Sequence, residues 1–327
     1  MKQQLLSGSV SWKTVIFWTL VTNLWTALFC RMHRALEEST DLTTTVIPEY
    51  SLAYDQSFGF FDDIPNEKWQ RLYQNRARQA RHYRVLEDPL QGIKFPAQWN
   101  FFNGDPYFVC PHKRKIGGLG GGPKWTCDAE RLVRIARERP DASCLVYSIG
   151  SRGNYLWELG LIELWGGPLC EIHVFDFGDF QRNDTEGWNI HYHQWGLGSS
   201  YSSKYRKRAI ARGQTFLSFQ EIRRRLGHEE RTIDLFKIDC EGCEWHNYKD
   251  WVSADIRQIM IETHDLPLPH TEKDTPFGIF PAMKVTDFFD ALKDNGFALF
   301  SKEVNSQRGF GRSVEWSFLK LRRDFFA

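Results

Sequence analysis

The chain has 327 residues, with 42 Lys and Arg against 41 Asp and Glu, 42% apolar residues and 15% aromatic ones. That length suffices for one large domain or two modest ones, and the balanced charge excludes a chain built mainly to neutralise nucleic-acid phosphates, so no nucleic-acid partner is expected. Seven cysteines in so long a chain exclude a small disulfide-built scaffold, and 25 Gly with 13 Pro exclude a collagenous one.

Thr14 to Cys30 (TVIFWTLVTNLWTALFC) is a 17-residue run without a charge, preceded by Lys2 and Lys13 and followed by Arg31 and Arg34. It reads as a short uncleaved membrane span rather than a signal peptide, because it leaves through Leu28, Phe29 and Cys30 into arginines with no small-x-small exit. Residues 1–36 are therefore expected to be a cytosolic tail and anchor, with the bulk in the secretory lumen in a type II, Golgi-like arrangement. Cleavage would make the protein secreted. Asn183-Asp184-Thr185 is then a usable glycosylation acceptor. Cys110 and Cys127 are the favoured disulfide pair in that oxidising space, with buried reduced thiols as the alternative. Residues 37–108, polar and broken by Pro48, Pro65, Pro89 and Pro96, with a helix around Glu67 to Leu86, read as a stem and approach segment. The Gly117 to Gly122 stretch is expected to be a loop, since no Gly-Lys-Ser/Thr follows and Pro123 stops a helix there.

From Asp128 the pattern becomes regular. Ala129 to Arg139 has one apolar face of Leu132, Val133, Ile135 and Ala136, and Pro140 ends it. Cys144 to Ile149 (CLVYSI) is a continuous apolar run suited to a strand buried on both faces. The turn Gly150-Ser151-Arg152-Gly153-Asn154 follows, then a helix through Leu156, Trp157, Leu161 and Leu164, and then the strand Glu171 to Phe175, which delivers Asp176. This is a βαβ unit with glycines in its first turn and an acid closing its second strand, suited to a nucleoside-containing ligand. Only Gly150 and Gly153 stand in the turn, so the pyrophosphate-binding G-x-G-x-x-G is missing and a methyl-donor nucleoside is favoured over NAD.

Strand-like Trp188 to Gln194 comes next, then a capping box at Ser218 to Glu221 opening a helix that stops at Gly227. Ile233 to Asp239 and Ile256 to Thr263 are further buried strands, the latter closing on His264-Asp265. A helix from Thr286 to Lys293 precedes two strands, Phe297 to Val304 and Val314 to Leu321, that form a hairpin-like ending. The expected fold is α/β, a Rossmann-like seven-stranded, mostly parallel sheet in residues 109–327.

Phe236-Lys237-Ile238-Asp239-Cys240-Glu241-Gly242-Cys243-Glu244-Trp245 resembles the K-I-D-x-E-G-x-E signature of FkbM-type class I methyltransferases. CPHKR, GGPKWTCDAERL, CLVYSIGSRGNYLWE and IHVFDF extend the resemblance to the group of methyltransferase-like protein 24. It covers Cys110 to about Leu321. It implies S-adenosylmethionine as cofactor, held by Gly150, Ser151 and Gly153 in the turn, by Asp176 at the ribose, by Gln194 and Trp195 at the adenine, and with Asp239 and Glu241 beside the methyl group. One departure from that pattern is Ser148, where an acid usually stands two places before the first glycine.

In-line methyl transfer to a hydroxyl needs alignment and a base. Glu241 and His264 are the candidate bases, with Asp239 beside them, and O-methylation of a sugar or small-molecule hydroxyl is the expected reaction. A divalent ion at these acids is the less favoured reading, and for Glu244 and Asp265 simple helix capping is preferred. Cys240 and Cys243 read as small residues of a tight turn rather than a redox or zinc pair, and His191 and His193 as solvated or core histidines. Nine Lys and Arg between Ser199 and Arg231 read as a solvated face, with an anionic glycan acceptor as the sharper alternative. A non-catalytic methyltransferase-fold scaffold, suggested by Ser148, is the competing function. A glycosyltransferase trails, because no Asp-x-Asp is present.

Overall fold

The computed structural model describes residues 52–83, 96–138, 144–198, 204–268, 270–275, 278–305 and 311–326. The expected anchor lies outside the described residues, among which no helix is long and apolar enough to cross a membrane.

A hairpin of β1 (Lys113–Ile116) and β2 (Lys124–Cys127) precedes the helix Arg131–Glu138 and the first sheet strand, β3 (Leu145–Ile149). The helix Leu156–Trp165 leads to β4 (Glu171–Phe175) and then β5 (Ile190–His193). Two short strands, β6 (Trp195–Leu197) and β7 (Thr215–Leu217), pair with each other in parallel outside the main sheet. Then come the helix Phe219–Leu226, β8 (Ile233–Ile238), the helix Glu244–Trp251, β9 (Ile256–His264), the small hairpin β10 (Lys273–Thr275) and β11 (Gly278–Phe280), the helix Val285–Asp294, β12 (Phe297–Asn305) and β13 (Ser313–Lys320).

The main sheet has seven strands in the order β12-β13-β9-β8-β3-β4-β5. The five from β9 to β5 run parallel, and β13 and β12 are antiparallel to their neighbours. Both faces are covered. Leu145, Tyr147 and Ile149 enter one core with Phe236 and Ile259, while Val146 enters the other with Ile172, Leu235 and Met260. That alternation, buried on both sides, is why the strands read as continuous apolar runs. Each such Leu, Ile or Val contributes about 1.5–3 kcal/mol of burial.

Within the stretch expected to be a stem, the helices Leu52–Gln56 and Asn66–Tyr83 belong to the same compact unit as the sheet. Phe60, Phe61 and Trp69 are fully buried, and Trp69 packs 6.0 Å from the Phe108 ring and 5.5 Å from that of Phe325. The polar average of this segment conceals its aromatic side. Three disulfides, Cys110–Cys127, Cys144–Cys170 and Cys240–Cys243, join all six cysteines beyond residue 36. The last corrects the expectation of a turn of small unpaired thiols: four residues bring Cys240 and Cys243 round to the same side.

Candidate functional site

The parallel strands end on one edge, and the turns there meet. Gly150, at φ +79°, leaves β3 against β8: a Cβ on it would lie 1.7 Å from the carbonyl oxygen of Asp239. Its N–H donates to the Phe175 carbonyl at 2.8 Å, and the Asp239 N–H donates to that of Ile149 at 3.0 Å. Ser151 is buried, and its hydroxyl accepts from Gly153 N–H at 3.3 Å. Asp176, just past β4, is 5% exposed and accepts from Arg152 N–H at 2.9 Å and from Gly178 N–H at 3.1 Å. Burial raises its carboxyl above the usual range despite those bonds. The expected cofactor residues Gly150, Ser151, Gly153, Asp176 and Asp239 thus share one rim.

Gln194 is exposed at the exit of β5. Trp195 opens β6, just after β5 and outside the main sheet, with its ring 4.7 Å from His193 and 6.3 Å from Phe175, the residue before Asp176. The Arg225 guanidinium lies 5.5 Å from the Trp195 ring.

Ser148 does not leave its place without a carboxylate. Its hydroxyl donates to Glu158, which reaches back from the following helix, and Lys237 on β8 pairs with the same Glu158 oxygen at 3.2 Å. All three side chains are buried, and the second oxygen, Glu158 Oε2, is buried with no hydrogen-bond partner. An orphaned carboxylate oxygen, a glycine cradle and an Asp176 carboxylate with lone pairs to spare fit a cofactor with ribose hydroxyls and an amino acid end.

The neighbouring strand ends gather acids. Asp239, Glu262 and Glu315 come from β8's exit, β9 and β13, with Glu262 and Glu315 directly opposite in register. Lys124 of β2, 1% exposed, projects among them: its Nζ lies 3.3 Å from Asp239 and 3.9 Å from Glu262, and it hydrogen-bonds Glu315. Burial would lower the Lys124 ammonium, but Glu315, Asp239 and Glu262 together hold it well above the usual lysine range. Burial opposes ionisation of Asp239, yet Lys124, then His264 and Lys237, bring it down to about 2. Burial and the charges of Asp239 and Glu315 push Glu262 up to about 9, so it keeps its proton at neutral pH.

His264 closes β9. Its Nδ1 pairs with Glu244 at 3.0 Å, and its Nε2 lies 3.8 Å from Asp239 and 3.7 Å from Glu241. Burial would lower the imidazole, but Glu244 above all, then Asp239 and Glu262, raise it to about 10. Glu241, at φ +55°, is the exposed acid of the group, its side chain 55% exposed. Glu244 makes no capping bond to its own helix, contrary to expectation: it accepts from Gly242 N–H at 2.9 Å and His264 N–H at 2.7 Å. Asp265 caps no helix; it accepts from Leu266 N–H and pairs with Lys273 at 3.0 Å.

His193 is a core-type histidine, hydrogen-bonded through Nε2 to His173 at 2.8 Å, and burial lowers both to about 4. His191 is exposed, its ring 5.0 Å from that of His173. Ligand atoms of Glu171, His173 and His228 lie within 4.8 Å of one another, but Arg231 pairs with Glu171 at 2.6 Å and bonds His228 at 3.0 Å. Arg223 departs from the solvated-face expectation: it is buried against the carbonyls of His228, Glu229 and Arg231.

Lys124, Glu158, Lys237 and Glu315 were missed as site residues. Lys124 had one local signal: Lys113–Ile116, a glycine-rich connection, and Lys124–Cys127 is a hairpin pattern.

A seven-stranded, mostly parallel sheet with a glycine turn, a second-strand acid and acids at the adjoining strand ends defines a Rossmann-like transferase of the methyltransferase type. A family model described as a methyltransferase domain matches residues 51–320, and the chain belongs to that family. Solved structures similar to it include 1,6-didemethyltoxoflavin-N1-methyltransferase of Burkholderia thailandensis, crystallised with S-adenosylhomocysteine (9% identity, 59% of this chain and 78% of that one, TM-score 0.35). Another is the N-terminal domain of EvdMO1 with S-adenosylhomocysteine (12%, 59% and 81%, TM-score 0.33). A third is magnesium protoporphyrin IX methyltransferase of Synechocystis PCC 6803 (14%, 59% and 81%, TM-score 0.29). None of the curated proteins compared matches the sequence.

Proposed function

We propose that the protein is an S-adenosylmethionine-dependent O-methyltransferase of the FkbM type that methylates a hydroxyl of a sugar or another small molecule in the secretory pathway. The observation that carries this reading is the double role of Asp239. Its backbone carbonyl packs on Gly150 of the cofactor turn, while its carboxylate faces Lys124 and His264 at the acid cluster.

Bound S-adenosylmethionine supplies a methyl group on a sulfonium, ready for in-line transfer to oxygen. Gly150, Ser151 and Gly153 would leave backbone open to it, Asp176 would accept from the ribose hydroxyls, and Gln194 and Trp195 would border the adenine. Glu158, bonded to Ser148 two residues before the turn, is the carboxylate that would serve the amino acid end. At the acceptor, His264 is already protonated at neutral pH and serves as a fixed charge, not a base. Glu241, exposed beside it, is placed to take the proton of an acceptor hydroxyl.

The disulfides support an oxidising compartment, since cytosolic proteins rarely keep three. Asn183 is exposed, as a glycosylation acceptor requires. The test is calorimetric titration of the full chain with S-adenosylhomocysteine, with Asp176→Ala as control. Binding weakened about tenfold or more by the substitution supports the reading. No binding by folded protein removes it. An acceptor screen beginning with sugars follows, in which Glu241→Gln should abolish turnover while retaining cofactor.

A further inference from the structure

The carboxylates at the acceptor end form a row across four adjacent strands: Asp239 past β8, Glu262 on β9, Glu315 on β13 and Glu303 on β12. Glu262 holds its proton, and the negative charge of the rest of the row is met by two cations from the β1–β2 hairpin. Lys115 pairs with Glu303 at 2.6 Å, and Lys124 is shared by the other three. The hairpin is fixed where it crosses the sheet. Cys127, three residues after Lys124, is disulfide-bonded to Cys110, and the Gln258 side chain clamps its N–H at 3.0 Å and its carbonyl at 2.6 Å.

Asp239, Glu262 and His264 present ligand atoms within 4.8 Å of one another, a spacing that suits a divalent ion. The Lys124 ammonium already stands against two of the three, buried at 1% exposure. A divalent ion binds oxygen at about 2–2.6 Å, so it would have to displace the ammonium or share its low-dielectric position, where two cations repel strongly.

We propose that Lys124 is the resident cation of the acceptor end, filling the place a divalent ion would take beside Asp239, Glu262 and His264, so that methyl transfer here needs no added metal. It is a positioning residue: it holds Asp239 ionised and in place under the acceptor oxygen, and the β1–β2 hairpin is thereby part of the site. The proposal rests on the methyltransferase reading above.

The test titrates the full chain with Mn²⁺, followed by the electron paramagnetic resonance signal of the free ion, with S-adenosylhomocysteine calorimetry on the same samples. Neither wild type nor Asp239→Asn should show a tight Mn²⁺ site. Lys124→Ala should gain a Mn²⁺ site on the order of tenfold tighter than any in wild type, lost again in Lys124→Ala/Asp239→Asn, whereas Lys124→Arg should match wild type. Wild-type binding of Mn²⁺ that Asp239→Asn abolishes overturns the proposal. So does a Lys124→Ala protein that retains S-adenosylhomocysteine but gains no Mn²⁺. Should Lys124→Ala not fold, the wild-type and Asp239→Asn pair decides alone. Failure of wild type to bind S-adenosylhomocysteine removes the methyltransferase reading, a separate result from either Mn²⁺ outcome.

Discussion

Gly150 and Asp239 approach so closely that no side chain fits between them, since a Cβ on Gly150 would sit 1.7 Å from the Asp239 carbonyl oxygen. The contact fixes the distance between the cofactor turn and the acid cluster. Gly150→Ala is expected to cost about 1–2 kcal/mol for its left-handed backbone and a further 1–3 kcal/mol for overpacking, and to abolish S-adenosylhomocysteine binding. Gly153→Ala is the control: its φ is +80°, but the nearest atom to its Cβ, on Phe180, is 3.9 Å away, so only the backbone cost applies. Urea unfolding of both variants checks this, and equal losses would refute the close-approach account.

Glu158 gives Ser148 the carboxylate that the strand itself lacks. Glu158→Gln leaves the Lys237 ammonium buried without its charged partner, a loss of about 3–5 kcal/mol, and is expected to weaken S-adenosylhomocysteine about tenfold. Ser148→Asp combined with Glu158→Gln returns a carboxylate from the strand side and should recover much of both. Calorimetry decides: unchanged affinity in Glu158→Gln would remove Glu158 from the cofactor site.

The acid cluster sets an alkaline limit on stability. His264 is raised from 6.5 to about 10 on folding and Glu262 from 4.5 to about 9, so the native state binds more protons than the unfolded chain between those values. Their stabilisation is full below the unfolded pKa of each and is lost as pH rises through the folded one. Asp239 acts in the opposite range: lowered from 3.8 to about 2, it contributes above 3.8 and is lost as pH falls through 2. Urea midpoints measured from pH 6.5 to 10 should fall steadily, and His264→Gln should flatten part of that slope. A wild-type profile level to pH 10 would contradict the charged imidazole.

The parallel strands were legible because burial on both faces leaves continuous apolar runs, and Ser218's capping box appears as read, with its hydroxyl accepting from Glu221 N–H. The turn glycines, Asp176 and the Asp239 to Glu244 run were legible because chain neighbours carry them. Lys124 and Glu315 were not, since each meets the site across long stretches of chain and a buried lysine looks like any other lysine in sequence; Glu158, only ten residues past Ser148, looks like an ordinary first-turn acid of its helix. The same distance along the chain hides Trp69, whose partner Phe325 stands near the far terminus. The charge state of His264 was equally hidden, because Glu244, which sets it, sits on another element.

The three disulfides divide by the chain they enclose. Cys110–Cys127 and Cys144–Cys170 join residues 17 and 26 apart, and each is expected to contribute about 3 kcal/mol by restricting the unfolded chain. Cys240–Cys243 spans three residues and has little unfolded-state entropy to remove. Its effect is local. It closes the turn that holds Glu241 at φ +55° and Gly242 at φ +103° between Asp239 and Glu244. Cys110→Ser/Cys127→Ser should therefore lower the unfolding temperature by several degrees, while Cys240→Ser/Cys243→Ser should leave it within about a degree or two of wild type. The second pair should instead raise protease susceptibility at residues 240–244 and weaken S-adenosylhomocysteine through the Asp239 contact with Gly150. A large thermal loss with unchanged affinity in Cys240→Ser/Cys243→Ser would show that this disulfide supports the fold and not the site.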